Sequence, residues 1–279
     1  MEAQLLYLGL ALTAVGALSG LSAGLFGIGG GAVMVPALYY TFTALGVPEA
    51  VVMHCAVATS GAIIIVNSIR STAAHHKRKS VAWELLWPDK IWQSYALWIS
   101  AGSFVAALWL APLFSGAALT GLFSIVAALV ALQFILGRPD YVLRHDVPRG
   151  VAPPLVGSAV GALSALMGIG GGSLTVPLMS LCGVPIHRAI GTASGFGFAI
   201  AVPATLGFII SGWGVAGRLF GSLGYVNLLG FIIIASVAIL TIPLGAKLAH
   251  SLPQARLKRI FGVCLLLVAA NMARKAVMG

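Results

Sequence analysis

Apolar runs close to the ~20 residues needed to cross a ~30 Å hydrocarbon core recur from one end of this chain to the other, separated by short polar breaks. A bilayer core has no water to satisfy a bare backbone, so runs of this length are read as transmembrane helices. Ten candidate segments follow: 5–25, 28–45, 50–70, 91–111, 116–137, 152–168, 170–182, 186–211, 225–247 and 257–277. Only 8% of the residues are charged and 59% are hydrophobic, against about a quarter charged in soluble domains, so no separate soluble domain is expected. The first run, Leu5 to Leu25, follows Glu2 rather than a basic region and is expected as a retained helix, not a signal peptide. Ser80 to Lys90 is too polar to span. Trp83, Leu86 and Trp87 share one side of a helical turn there and predict an interfacial helix.

The formal charge of +10 sits in short loops between apolar spans, which argues for membrane topology rather than nucleic-acid binding. If the loop with His75, His76, Lys77, Arg78 and Lys79 is cytoplasmic, alternation also puts Arg138, Arg144, Arg149, Arg188, Lys247, Arg256, Lys258 and Arg259 inside. Only Arg218, Arg274 and Lys275 then lie outside, which fits the Lys/Arg excess of cytoplasmic loops and predicts both termini outside.

Self-comparison shows an internal duplication. GLFGIGGGAVMVP (Gly24 to Pro36) recurs as ALMGIGGGSLTVP (Ala165 to Pro177), GVP at Gly46 recurs at Gly183, and AVATS (Ala56 to Ser60) is matched by AIGTA (Ala189 to Ala193). Five segments per copy is an odd number, so the second copy enters the membrane from the opposite side. The expected fold is an all-α integral membrane protein of two inverted five-segment repeats, a plan shared by many secondary transporters. Residues 1–137 form the first repeat with its basic loop at 70–90, 138–151 a cytoplasmic linker, and 152–279 the second repeat.

Three glycines in succession, Gly29, Gly30 and Gly31 and again Gly170, Gly171 and Gly172, are poor helix interior, since each costs about 1 kcal/mol relative to Ala. They predict helix breaks that must be shielded from lipid. A helix N-terminus in low dielectric offers unpaired N–H groups and the positive end of a dipole, and glycine lets an anion come close. Two such ends related by inversion suit one anion site near the midplane. The bland reading is close helix crossing, which is the role expected of Gly16, Gly20, Gly24, Gly157 and Gly161. The segment after the second break is either a re-entrant half-helix or a short span. A nucleotide-binding reading fails, because no Lys-Ser/Thr follows either triplet and no βαβ pattern surrounds it.

Thr59 and Ser60 in one copy and Thr192 and Ser194 in the other are small hydroxyls able to donate to an oxyanion without a fixed charge; back-bonding and helix contacts are their structural alternative. His54 and Asn67 are candidate coupling or path residues, with an interfacial hydrogen-bonded histidine and a helix–helix amide bond as the alternatives. All six acids, Glu2, Glu49, Glu84, Asp89, Asp140 and Asp146, fall at ends or in loops. Cys55, Cys182 and Cys264 lack CxxC spacing and are expected as packed thiols, with no metal and no cofactor.

The paired GIGGG-x₄-P motifs, MHCAVATSGA (Met53 to Ala62), HHKRKSVAW (His75 to Trp83) and HRAIGTASGFGF (His187 to Phe198) together resemble the TauE/SafE family of sulfite and organosulfonate exporters. The resemblance covers most of the chain. It implies movement of sulfite, a sulfonate or a related organosulfur anion across a bacterial inner membrane, generally outward. This chain departs from the family pattern at Ala58, where many members have Gly, and at Ala193, where the second copy lacks the serine. The backbone donors and the threonines are therefore the first expectation for contact. A passive anion channel shares the same site chemistry and stays open as an alternative, as does a homo-oligomer. An intramembrane enzyme would need a nucleophile, acid/base pair or metal cluster that the spans do not offer.

Overall fold

The computed structural model describes residues 2–27, 29–136, 142–251 and 254–278. Ile28, the expected boundary at 137/138, Arg138 and Asp140 lie outside the described residues, as do the side chains of Arg256 and Lys258.

All ten expected segments are helical. They are α1 (Glu2–Phe26), α2 (Gly31–Ala44), α3 (Glu49–His76), α5 (Tyr95–Val105, continued by a π turn and a 3-10 turn to Leu113), α6 (Gly116–Leu136), α7 (Ser158–Met167, entered by the π turn Pro153–Gly157), α8 (Gly172–Leu181), α9 (Ile186–Ser211), α10 (Leu228–Ser251) and α11 (Gln254–Met278). Among the described residues, six helices are long and apolar enough to cross a membrane: those in α1, α3, α5 with its continuation, α6, α9 and α10. The helices that follow the glycine breaks are not. α2 has 14 residues and α8 has 10, or about 21 and 15 Å of helix, short of a ~30 Å core.

Boundaries move where a side chain fixes them. The fourth segment starts at Tyr95 rather than 91 because Ser94 caps it, accepting from the Leu97 N–H at 3.3 Å while donating to Leu86 O at 2.8 Å. The ninth starts at Leu228 because residues 222–227 form a small hairpin that turns on Gly224 at φ 57°. The expected interfacial helix is a single turn, α4 (Trp83–Leu86), with Leu86 buried against Gly195 of α9 and with Trp83 and Trp87 exposed.

Small residues let the helices meet closely. α1 runs parallel to α10, and a Cβ on Gly16, Gly20 or Gly24 would strike the carbonyl oxygen of Ile234, Ala238 or Ile242 in turn. Gly161 and Gly102 do the same between α7 and α5, against the carbonyl oxygens of Ile99 and Ser158, and Gly157 in the π turn packs on Trp98. α3 crosses α9 antiparallel, with Gly61 beside Thr205, Ser71 against Ser194 and Gly191 beside His75. α6 lies antiparallel to α11, with Gly262 on Ala131. These pairings are reciprocal: exchanging the first five segments for the last five turns α1/α10 into α7/α5 and α5/α9 into α10/α3, and returns α3/α9 and α6/α11 to themselves. Of the cysteines, Cys55 is buried as expected, whereas Cys264 is exposed because it lies off the α11 face that meets α6.

Candidate binding site at the helix breaks

The two glycine triplets, far apart in sequence, meet. A Cβ on Gly29 would lie 3.4 Å from Gly170 Cα, and one on Gly31 would fall on Gly168 O. All six triplet glycines are buried. The two breaks also lean on the opposite repeat's central helix in matching ways: Gly27 abuts Ile190 O of α9, and Gly168 abuts Val57 of α3.

The backbones of the breaks differ. In the first, Gly27, Gly29 and Gly30 have φ of 66, 70 and 83°, the left-handed region that glycine enters freely. In the second only Gly168 does, at 60°, and the cap of α8, Gly171, sits at φ −51°. As at Gly29, Gly30 and Gly31 in the first break, the N–H groups of Gly170, Gly171 and Gly172 donate to no protein acceptor among the described residues. Buried backbone donors are rarely left so, and here they stand at the positive end of α8.

Asn67 and Ser68 lie where α3 crosses α9. The Asn67 Nδ2 donates to Gly29 O at 2.9 Å and to Ser19 Oγ at 3.1 Å, while its Oδ1 is buried without a partner. Ser68 Oγ, also buried and unpartnered, faces Gly197, whose N is 3.0 Å from where a Gly171 Cβ would sit. Ser60 donates to Gly168 O at 2.8 Å. The triplets, Ser60 and Asn67 are thus brought together, joined by Ser19 and Ser68.

The other candidates lie elsewhere. Thr59 Oγ1 accepts from the Asn227 N–H at 2.9 Å, just before α10, and Thr192 Oγ1 accepts from the Ala82 N–H at 2.9 Å, just before α4. Each threonine pins the chain leading into the opposite repeat's next helix. Ser194 Oγ pairs with Ser71 Oγ at 2.9 Å, one turn of α3 beyond Asn67. His54 is buried near the start of α3, its Nε2 3.1 Å from Ala111 O and its ring stacked on Tyr225 at 5.1 Å. That is about 20 Å along α3 from Asn67. Among the described residues no three His, Cys, Asp or Glu side chains converge as metal ligands.

Sequence reasoning named Asn67 but missed Ser19, Ser68 and the α3 stripe that Asn67 forms with Ser71 and His75. The stripe was visible as polar side chains four residues apart on an apolar helix; Ser19 and Ser68 gave no distinguishing signal.

The family model described as "Sulfite exporter TauE/SafE" matches residues 12–272. The chain is 33% identical over 262 residues to a "Probable membrane transporter protein" of Haemophilus influenzae, covering 94% of this chain and 96% of that protein. It is 28% identical over 259 residues to a protein of the same description from Methanocaldococcus jannaschii, covering 91% and 90%. A third, the "Probable membrane transporter protein YunE" of Bacillus subtilis, is 29% identical over 223 residues, covering 72% and 78%. No solved structure matches the chain. With its multiple apolar spans, its paired glycine motifs and a family match across nearly its whole length, the chain is an integral membrane protein that belongs to the sulfite exporter TauE/SafE family.

Proposed function

We propose that this protein is a secondary transporter that carries a small sulfur-containing oxyanion, sulfite or a sulfonate, outward across a bacterial inner membrane, by alternating access around the paired glycine breaks. The observation that carries the reading is the buried, unpaired N–H array of Gly170, Gly171 and Gly172, apposed to the first triplet. Such donors stabilise negative charge without a fixed cation that would hold it too tightly. Ser68 adds a hydroxyl donor, and Asn67 Oδ1 an acceptor that suits a monoanion still bearing a proton or another donor.

The reciprocal pairings support two inverted repeats, 1–137 and 152–279, rocking about the α3/α9 crossing. The loop charges support a cytoplasmic linker at 138–151 and both termini outside.

Binding to the native state alone raises apparent stability. Sulfite or methanesulfonate is expected to raise the Tm of the purified protein more than chloride at matched ionic strength. Gly171→Ala, which places a methyl among the donors, is expected to abolish the difference. Thr59→Val is a poorer probe: it strands the Asn227 N–H and costs about 1–3 kcal/mol of stability by itself. No shift beyond chloride from any sulfur oxyanion, with strong stabilisation by an organic cation or a neutral solute, contradicts the assignment.

A further inference from the structure

Two cavities of opposite character adjoin on the face that carries the basic loops. The inner one, about 160 Å³, lies between α5, α7, α8 and α9, with Ile99, Val160, Leu178, Met179 and Phe196 among its walls. The Thr175 hydroxyl in its lining is committed to Gly171 O at 2.6 Å, so the surface it offers is apolar. Leu178 on α8 and Val156 at the entry to α7 line it and also reach the outer surface of the protein, which in a membrane faces lipid. The outer cavity, about 970 Å³, shares Leu85, Tyr95, Val147, Pro148 and Cys182 with the inner one. The linker before α7 holds them together. Its Leu143 and Arg144 N–H groups donate to Leu181 O at the end of α8, at 2.9 and 3.1 Å, and the Tyr95 hydroxyl donates to Pro148 O at 2.9 Å.

Depth and charge say what the pair would hold. Trp87, 68% exposed, stands in the wall of the outer cavity, and Trp83 beside it is exposed as well. Exposed tryptophans of a membrane protein sit at headgroup level, which sets the outer cavity there and the inner one among acyl chains. Lys90, Arg144, Arg149 and Arg188 line the outer cavity together with Glu84, Asp89 and Asp146. Arg188 and Glu84 pair with each other at 2.6 Å, and among the described residues none of the other five makes an ion pair. Three cations and two carboxylates are left facing one space. A lone phosphate there would meet the cations but also the carboxylates; a phosphate followed by an ammonium suits both signs.

We propose that the two cavities together bind one molecule of phosphatidylethanolamine from the adjacent leaflet. Its phosphate meets Lys90, Arg144 and Arg149, its ammonium meets Asp89 and Asp146, and the first part of one acyl chain enters the apolar cavity. Each methylene buried there tightens binding by up to about fourfold. Phosphatidylcholine carries the same charges, but its methylated nitrogen has no N–H to donate to a carboxylate; phosphatidylglycerol has no cation at all. This lipid site stands independently of what the protein carries.

The test starts from full-length protein in nanodiscs of equal parts phosphatidylethanolamine, phosphatidylglycerol and phosphatidylcholine. After transfer to detergent, the lipid that stays bound is read by native mass spectrometry. One phosphatidylethanolamine per chain is expected, in at least about fivefold excess over either other lipid. Leu178→Trp, at a wall position 40% exposed and so tolerant of a larger side chain, is expected to lower that retention at least about threefold. Asp89→Asn with Asp146→Asn is expected to remove the preference over phosphatidylglycerol. Cys182, which lines both cavities, reports occupancy with the lining intact. In delipidated Cys264→Ser protein, which lacks the exposed cysteine, added phosphatidylethanolamine is expected to slow maleimide modification of Cys182 at least about fivefold, and the other two lipids are not. Equal retention of the three lipids, or an excess of phosphatidylglycerol or phosphatidylcholine, overturns the proposal. So does a phosphatidylethanolamine preference that the folded variants leave unchanged, or one that leaves the Cys182 rate unchanged, since the lipid then sits elsewhere.

Discussion

Glycine is not one requirement at these breaks. Gly30 is left-handed, and a Cβ there would run into Ser19 Oγ and lie 3.0 Å from Ser19 Cα. Gly171 has helical φ and ψ, and its nearest neighbour, Gly197 N, is 3.0 Å from a built Cβ. Gly30→Ala is therefore expected to lower stability, with the left-handed backbone alone costing about 1–2 kcal/mol, whereas Gly171→Ala is expected to fold and lose anion binding. Thermal unfolding alongside ligand titration separates the two; equal destabilisation with binding intact in both contradicts a donor role for the second triplet. The triplets themselves were legible because three glycines in a row contradict a helix that the surrounding apolar pattern demands. The engagement of Thr59 and Thr192 was not. Repeat symmetry singled them out correctly as a pair, but it cannot tell a hydroxyl that meets cargo from one that accepts an N–H from a loop 168 or 110 residues away in sequence.

Between the two halves, α3 and α9 differ more than their matched motifs suggest. At four-residue spacing on α3, Asn67 holds Gly29 O, Ser71 donates to Ala23 O at 3.1 Å, and His75 Nε2 lies 3.0 Å from Gly24 O. Gly24 O is one of the last-turn carbonyls of α1 that helix geometry leaves open, Ala23 O also accepts from the Gly27 N–H at 3.0 Å, and Gly29 O lies in the break itself. The positions matched on α9 by the threonine alignment are Ile200, Ala204 and Phe208, which carry no side-chain hydrogen-bonding group. The first break is thus tied to its neighbouring helix by a polar stripe, and the second is tied by Ser60 on Gly168 O. Ser71→Ala with His75→Phe is expected to speed amide exchange in the last turn of α1 by roughly thirtyfold, since each of the two lost bonds is worth about 1 kcal/mol, and to leave the end of α7 unchanged. Equal acceleration at both ends contradicts the asymmetry. Helix existence and order were readable from apolar length alone. The late starts at Tyr95 and Leu228 were not, because a serine cap and a hairpin fix them through contacts that apolar length does not encode.

Across the whole molecule, alternation is the expectation for the ten segments, and α1 parallel to α10, α3 antiparallel to α9 and α6 antiparallel to α11 are consistent with it. Single cysteines at Lys77 and Phe220, both exposed, on a cysteine-free background are expected to label from opposite faces of intact cells. Labelling from one face contradicts the ten-segment arrangement. The central claim, that the paired glycine breaks move a sulfur oxyanion, is tested most directly by flux into proteoliposomes. Isotopically labelled sulfite and methanesulfonate are expected to exchange across membranes containing the wild-type protein well above protein-free vesicles. Gly171→Ala, folded and inserted to the same extent, is expected to reduce that exchange to the protein-free level. Exchange of either anion by Gly171→Ala at the wild-type rate, or no exchange by the wild type of any sulfur oxyanion while it moves an organic cation, contradicts the account.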